Sequence, residues 1–388
     1  MQLGRERANA NVRLVCLTCR EVYSPRSGYP VSSARKDALL PAEIAADGGY
    51  AARFLSFCLA LNVFRFGGES TLPPTAANAD RWAAGIQDQR MYGYLSRKSF
   101  CMNLSTSGLS LAADAAVDLQ VHTIHSDGTW TPEELLDYLV REQFGLVAIT
   151  DHDRADTATA LQQLAQAKHL PVLVAVEMTA SWRGEMTDLL CFGFDPAQSA
   201  LHELAQDLLR RQQDNTREVY ENLQRKGYAL PQSPAALADL LAQPSAQQPH
   251  ALVSLLKRQG YGQGEPSAGK IALEAGCAFA TNDLAAVVEA AHRSGAVCLI
   301  AHPGRTDGFV TYDVQLLDQV RQEAPIDGLE VYYPKHTPAQ TAMYLEYAQR
   351  HHLLTSAGSD SHGSDKPPIK YRAELCRALL ERVGTQMK

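Results

Sequence analysis

Histidines and acids recur in this sequence where short apolar runs stop. Asp118-Leu119-Gln120-Val121-His122 is followed by His125-Ser126-Asp127-Gly128, and further on come Thr150-Asp151-His152-Asp153 and Glu177. Asp188 opens another apolar run, and Ala301-His302-Pro303-Gly304-Arg305 and Gly358-Ser359-Asp360-Ser361-His362-Gly363 end two more. A buried charge is costly unless it is paired or bound to a metal, so this many ionisable groups beside apolar runs point to a site. Imidazoles mixed with carboxylates suit Mn²⁺, Fe²⁺ or Zn²⁺, whereas Mg²⁺ or Ca²⁺ alone is usually held by oxygen donors and water. One such histidine is more often structural. Five run ends carrying His or acid make a metal centre the better reading.

The elements that must position these groups are legible as apolar runs separated by amphipathic helices, the pattern of repeated βα units around a parallel sheet. Strands are predicted at Val117–Val121, Leu146–Thr150, Val172–Glu177, Asp188–Gly193, Ala296–Ala301, Gly328–Tyr332 and Leu353–Ser356. Seven strands suggest an α/β protein with a closed or nearly closed barrel, whose C-terminal strand ends would converge on one face. Thr131-Pro132-Glu133-Glu134 reads as an N-cap, a first-position proline and a capping-box glutamate, with Gly145 as that helix's expected end.

These segments resemble the polymerase and histidinol phosphatase (PHP) superfamily, particularly its free-standing phosphoesterase branch, over residues 117–195 and 296–365. The resemblance implies a distorted (β/α)7 barrel with two to three divalent metal ions that hydrolyses phosphate esters with a metal-bridging hydroxide. By position, Asp127, His152 and His362 would hold one metal. Glu177 would bridge two others, with His122 and Asp360 on one and His302 on the other. Arg305 would clamp a phosphate with its planar fork. Two positions depart from the pattern: Gln120 stands where most relatives have the first His of His-x-His, and Asp188 where they usually have a fourth-strand His. Both changes move the donor set toward oxygen, which makes Mn²⁺ the leading candidate, with Zn²⁺, Fe²⁺ and Mg²⁺ as alternatives. His125 and His336 are candidates to protonate a leaving group.

Length and composition are compatible with this reading. A chain of 388 residues, 45% hydrophobic and 20% charged, can bury one α/β core of about 250–300 residues and carry something extra. The expected division is an N-terminal extension over 1–116, barrel parts over 117–195 and 277–388, and a largely helical insertion over 196–276. Residues 1–113 show little periodicity and are expected to be loosely structured. Met102, just upstream of the first clear strand, raises the expectation of a shorter natural start. Those first 113 residues carry 13 Lys and Arg against 8 Asp and Glu, so of the whole chain's 36 and 43 the remainder holds 23 against 35. A domain of net charge −12 repels a phosphate ester unless cations sit at the site, which also favours bound metal.

Eight cysteines without a regular framework fit a reduced compartment, and Cys16-Leu-Thr-Cys19 lacks the second pair that a zinc ribbon needs. The longest apolar run, Phe54 to Phe64, is about half a membrane span, so the expectation is a cytoplasmic protein with no membrane association. The expected substrate is a phosphorylated small molecule or nucleotide end, such as a nucleoside 3′,5′-bisphosphate or a short oligonucleotide 5′ end. No feature calls for an obligate protein partner. The competing readings are a metal-dependent amidohydrolase and a non-catalytic metal-binding descendant of the fold.

Overall fold

The computed structural model describes residues 106, 108–197 and 199–388. Most of the N-terminal extension, with Cys16, Cys19, the run from Phe54 to Phe64 and Met102, lies outside the described residues. Twelve strands are found among them: β1 (Ser110–Leu111), β2 (Ala116–Val121), β3 (Leu146–Ile149), β4 (Val172–Leu173), β5 (Ala175–Trp182), β6 (Glu185–Phe192), β7 (Asn282–Asp283), β8 (Val297–Ile300), β9 (Gly328–Tyr332), β10 (Leu354–Ala357), β11 (Tyr371–Arg372) and β12 (Gln386–Met387). They form sheets in the orders β10-β9-β8-β6-β5-β7, β11-β2-β3-β4 and β1-β12. The fold is mixed α/β with parallel strand pairs and covering helices, consistent with a TIM-like arrangement.

Two isolated parallel bridges link the larger sheets, Val121 with Ser361 and His152 with Glu177. At the first, His122 N donates to Ser361 O (2.8 Å) and Asp360 N to Gln120 O (3.0 Å). At the second, Asp153 N donates to Glu177 O (2.8 Å). The expected functional residues therefore stand at the seams between sheets, where the backbone ladders give way and side chains can turn inward.

The expected all-parallel pattern fails at one place. β5 and β6 are antiparallel over their full length, from Ala175 opposite Phe192 to Trp182 opposite Glu185, and β6 is also antiparallel to β8. The cause is the two-residue connection Arg183-Gly184, with φ of +54° and +87°, whose twist matches a tight hairpin. Glu177 is consequently the third residue of an eight-residue strand rather than its last, and Asp188 lies inside β6 rather than opening it. Apolar periodicity cannot separate parallel from antiparallel neighbours here, because β6 is buried on both faces. Leu189 and Cys191 enter one core cluster while Leu190 and Phe192 enter another.

The helix α1 (Pro132–Arg141) has the predicted capping box at Thr131 and Glu134 but ends earlier than expected, with Glu142 as its C-cap. Gln143 takes the left-handed conformation at φ +60°, and Gly145 instead immediately precedes β3, its N–H donating to Ala116 O (2.8 Å). The last part of the extension is also built into the fold. β1 pairs with β12, Leu111 is buried, and Ala113 and Ala115 carbonyls accept from Glu374 and Ala373.

Within the expected insertion lie α2 (Ala200–Arg225), α3 (Pro234–Leu241), α4 (Gln248–Arg258) and α5 (Ala268–Glu274). They share an apolar cluster of their own, which includes Val219, Leu223, Leu252, Leu256 and Ile271. Among the described residues no helix is long and apolar enough to cross a membrane.

Candidate metal centre

His122 is fully buried just past β2, and its ring lies between two other imidazoles. The His152 ring centroid is 4.9 Å away and that of His362 4.3 Å, both nearly stacked. Asp127 faces all three rings: its Oδ2 is 3.2 Å from His362 Nε2 and 4.0 Å from His152 Nε2, and its Oδ1 is 3.7 Å from His122 Nδ1. On the other side of His122, Nε2 lies 3.0 Å from Glu177 Oε2 and 3.4 Å from Asp360 Oδ1. His302 Nε2 is 3.1 Å from Glu177 Oε1 and 3.7 Å from Asp188 Oδ2. Three overlapping groups have donor atoms close enough to share an ion: His122/Asp127/His152/His362, His122/Glu177/Asp360 and His152/Glu177/Asp188.

Gln120 also faces this cluster, with Nε2 donating to Glu177 Oε2 at 2.8 Å. Gln120 Oε1, Asp188 Oδ1 and both ring nitrogens of His122 are buried without a well-formed hydrogen bond. Orphaned buried atoms of this kind need an explanation, and converging imidazole and carboxylate donors fit a divalent cation.

The electrostatics of the cluster point the same way. Burial opposes protonation of His152, yet Glu177 and Asp127 outweigh it and lift its pKa to about 9. Burial works against His122 as well, but the nearby carboxylates of Asp360 and Glu177 raise it well above its ordinary value. Burial would raise Glu177, but His152 and His122 hold it well below the usual carboxylate range. Asp188 is the exception, since burial lifts it to about 7 against the pull of His152. Carboxylates that favour positive charge on the neighbouring imidazoles would equally favour divalent cations among them.

A set of supporting groups, whose roles the sequence did not reveal, fixes these side chains. Asp151 accepts from Thr123 N (2.6 Å), Thr123 Oγ1 (2.7 Å) and Ser126 Oγ (2.8 Å), which holds the loop between His122 and Asp127. Gly128 closes that loop, where a Cβ would come within 2.7 Å of the His122 carbonyl. Asp118 accepts from Ser359 N (3.0 Å) and Ile369 N (2.9 Å), tying β2 to the loop that carries Asp360 and His362. Glu330 accepts from His302 N (2.8 Å), and Tyr333 hydroxyl donates to Asp360 Oδ2 (3.3 Å). Asp153, His302 and Asp360 all have positive φ, the backbone strain that tends to gather at functional sites. One signal was available in sequence: Asp118, Gln120 and His122 alternate within an apolar strand, a period-two polar set facing one way.

The three candidate catalytic residues have different surroundings. Arg305 lies over the Phe309 ring (4.1 Å to the centroid) and is paired with Asp307. His125 is half-buried, and its backbone carbonyl accepts from Arg154 (3.0 Å). His336 does not have the freedom of a proton donor. Its Nδ1 donates to Val331 O (3.0 Å), its Nε2 accepts from Gly304 N (3.0 Å), and burial lowers its pKa to about 4. It is a neutral clasp on the turn that leads to Arg305.

No family model matches the chain. It is 29% identical over 262 residues to phosphoribosyl 1,2-cyclic phosphate 1,2-diphosphodiesterase of Eggerthella lenta, covering 63% of this chain and 94% of that one. It is 26% identical over 295 residues to 3′,5′-nucleoside bisphosphate phosphatase of Chromobacterium violaceum, covering 70% and 98%. In fold it is similar to a crystal structure from Bifidobacterium adolescentis assigned as a metal-dependent phosphoesterase, with TM-score 0.57, 24% identity, and coverage of 69% and 96%. The two curated relatives are named for phosphate-ester hydrolysis, the activity that the motif resemblance implies.

Proposed function

We infer that this chain is a divalent-metal-dependent phosphoesterase of the PHP superfamily, acting on a phosphorylated small molecule or a nucleotide end. The observation that carries this reading is the interlocked donor set, in which His122, His152 and Glu177 each belong to two groups and four buried atoms lack partners. We take the number of ions as two to three, with Mn²⁺ the leading candidate because Gln120 and Asp188 add oxygen donors. The seam bridges support a closed seven-unit barrel, and the separate apolar cluster of α2 to α5 supports a helical insertion over 196–276. The lack of a cysteine framework supports a cytoplasmic location.

When bound, divalent ions would activate water, polarise the phosphoryl oxygens and stabilise the leaving oxygen. Asp127, His152 and His362 would hold one, with His122, Glu177, Asp360, His302 and Asp188 holding the rest. The chain's own groups supply the remainder. Glu177, buried between His122 and His302, keeps both imidazoles oriented. Arg305, stacked on Phe309 and steadied by Asp307, presents its guanidinium to a phosphate without a large ordering cost. His125, half-buried two residues before Asp127, would protonate a leaving group.

The test is metal analysis of protein purified without chelators, paired with turnover of a phosphodiester, a phosphomonoester and an amide. Bound metal and phosphate-ester hydrolysis are expected. Protein that is metal-free, cannot be reconstituted and hydrolyses no phosphate ester would end the enzyme reading, and selective amide turnover would move it to amidohydrolysis.

A further inference from the structure

We propose that Lys335 is a specificity-determining residue that binds a second phosphate of the substrate, beside the phosphate being hydrolysed. This rests on the phosphoesterase reading above. The rings of Phe309 and Tyr333 flank the His302 imidazole at 5.4 and 5.5 Å. Each carries a cation on its face: Arg305 lies 4.1 Å from the Phe309 centroid, and Lys335 Nζ lies 5.9 Å from that of Tyr333. Tyr333 spans the interval between Lys335 and the cluster, since its hydroxyl reaches Asp360. Lys335 is therefore one ring further out than the proposed ligands, where the group next to a reacting phosphate would lie.

The two cations differ in what balances them. Arg305 is paired with Asp307, whereas among the described residues Lys335 makes no ion pair or hydrogen bond. Lys335 is exposed to solvent, and crowding by the protein and the like charge of Arg305 still depress its pKa, against the pull of Asp360 and Asp307. An anion entering between Arg305 and Lys335 would relieve that repulsion. Lys335 also stands two residues before Thr337, the N-cap of the helix Pro338–Arg350, whose positive end adds to the preference of this segment for an anion. In a region that carries 35 acids against 23 bases, an exposed lysine next to Arg305 with no ion pair of its own leaves its ammonium open to an anionic ligand.

The experiment uses the full chain with its metals as purified. The wild type, Lys335→Gln and Lys335→Arg are compared on adenosine 3′,5′-bisphosphate, the 5′-phosphorylated dinucleotide pApA and adenosine 5′-monophosphate. Lys335→Gln should raise KM about tenfold on substrates with a second phosphate, the effect of one charge-assisted hydrogen bond, and leave the monophosphate unchanged. Lys335→Arg should restore most of the loss. An effect confined to the bisphosphate assigns the site to a terminal phosphate, and one confined to pApA to an internucleotide phosphate. Equal losses on all three substrates, or none on any, overturn the proposal. If the wild type hydrolyses none of them, the phosphoesterase reading fails instead. Calorimetry with the bisphosphate and the monophosphate on that inert protein then decides the lysine: a preference for the bisphosphate lost in Lys335→Gln supports it, and equal affinities overturn it.

Discussion

Glu177 Oε2 sits 3.0 Å from His122 Nε2 while its Oε1 sits 3.1 Å from His302 Nε2, so one buried carboxylate joins imidazoles from two different strand ends. Glu177 also belongs to two of the three donor groups, whereas Asp188 belongs to one.

This overlap predicts unequal losses. Glu177→Gln should remove metal from both groups that contain it, and lower turnover by about a hundredfold or more, because a ligand weighs at least as much as its outer supports. Asp188→Asn should empty no more than one group. Elemental analysis of the two variants beside the wild type checks this. Equal metal loss in both would show that Glu177 is not the shared ligand.

Arg305→Ala should raise KM by about tenfold or more with kcat changed little, since a ground-state phosphate contact is lost and the proposed ligands are untouched. Asp307→Asn should give a smaller shift in the same direction by freeing the guanidinium from its present partner. Steady-state kinetics on a phosphomonoester measures both. Unchanged KM in Arg305→Ala would remove the residue from phosphate binding.

A third prediction concerns pH and lies away from the site. His292 Nε2 is 2.8 Å from Asp327 Oδ2, and this hydrogen bond raises the His292 pKa even though partial burial opposes it. A raised histidine pKa means that the stabilisation is fully present below the unfolded value and is lost as pH rises through the folded one. The imidazole is about a third exposed, so solvent screening leaves about 0.5 kcal/mol. His292→Gln should therefore lower stability to urea at pH 6 and match the wild type near pH 9. A deficit that is the same at both values would mean lost packing rather than lost charge.

The site was more legible in the sequence than the strand directions were. His122, Asp127, His152, His302, Asp360 and His362 stand out because polar groups interrupt apolar runs there, and the structure brings them all into one cluster. Asp118 and Asp151 stand in the motifs, but their supporting roles, and Glu330 altogether, could not be read because their partners are backbone amides and hydroxyls whose positions appear only after folding. The β5–β6 hairpin escaped because a strand buried on both faces has the same apolar pattern whichever way it runs, and only the short Arg183-Gly184 connection marks the reversal. The role of His336 could not be read at all, since both ring nitrogens are occupied by main-chain groups brought together by the fold.

The last prediction concerns Gln120, which is fully buried with its amide nitrogen 2.8 Å from Glu177 Oε2 and its amide oxygen unpartnered. At this position an amide oxygen is a weak donor to a metal, whereas an imidazole supplies a stronger nitrogen donor. Gln120→His should raise occupancy at the group formed by His122, Glu177 and Asp360, and the gain should be largest for Zn²⁺, which benefits most from imidazole. Turnover need not follow, because a site built around oxygen donors can lose its water geometry when a nitrogen replaces one. Zinc titration of both proteins under matched conditions, followed by competition with Mn²⁺, measures the change. Tighter zinc binding with unchanged Mn²⁺ affinity is the expected result. Equal affinity and stoichiometry for both ions would mean that the side chain at 120 orients Glu177 without reaching the metal, and that its hydrogen bond to that carboxylate is its whole contribution.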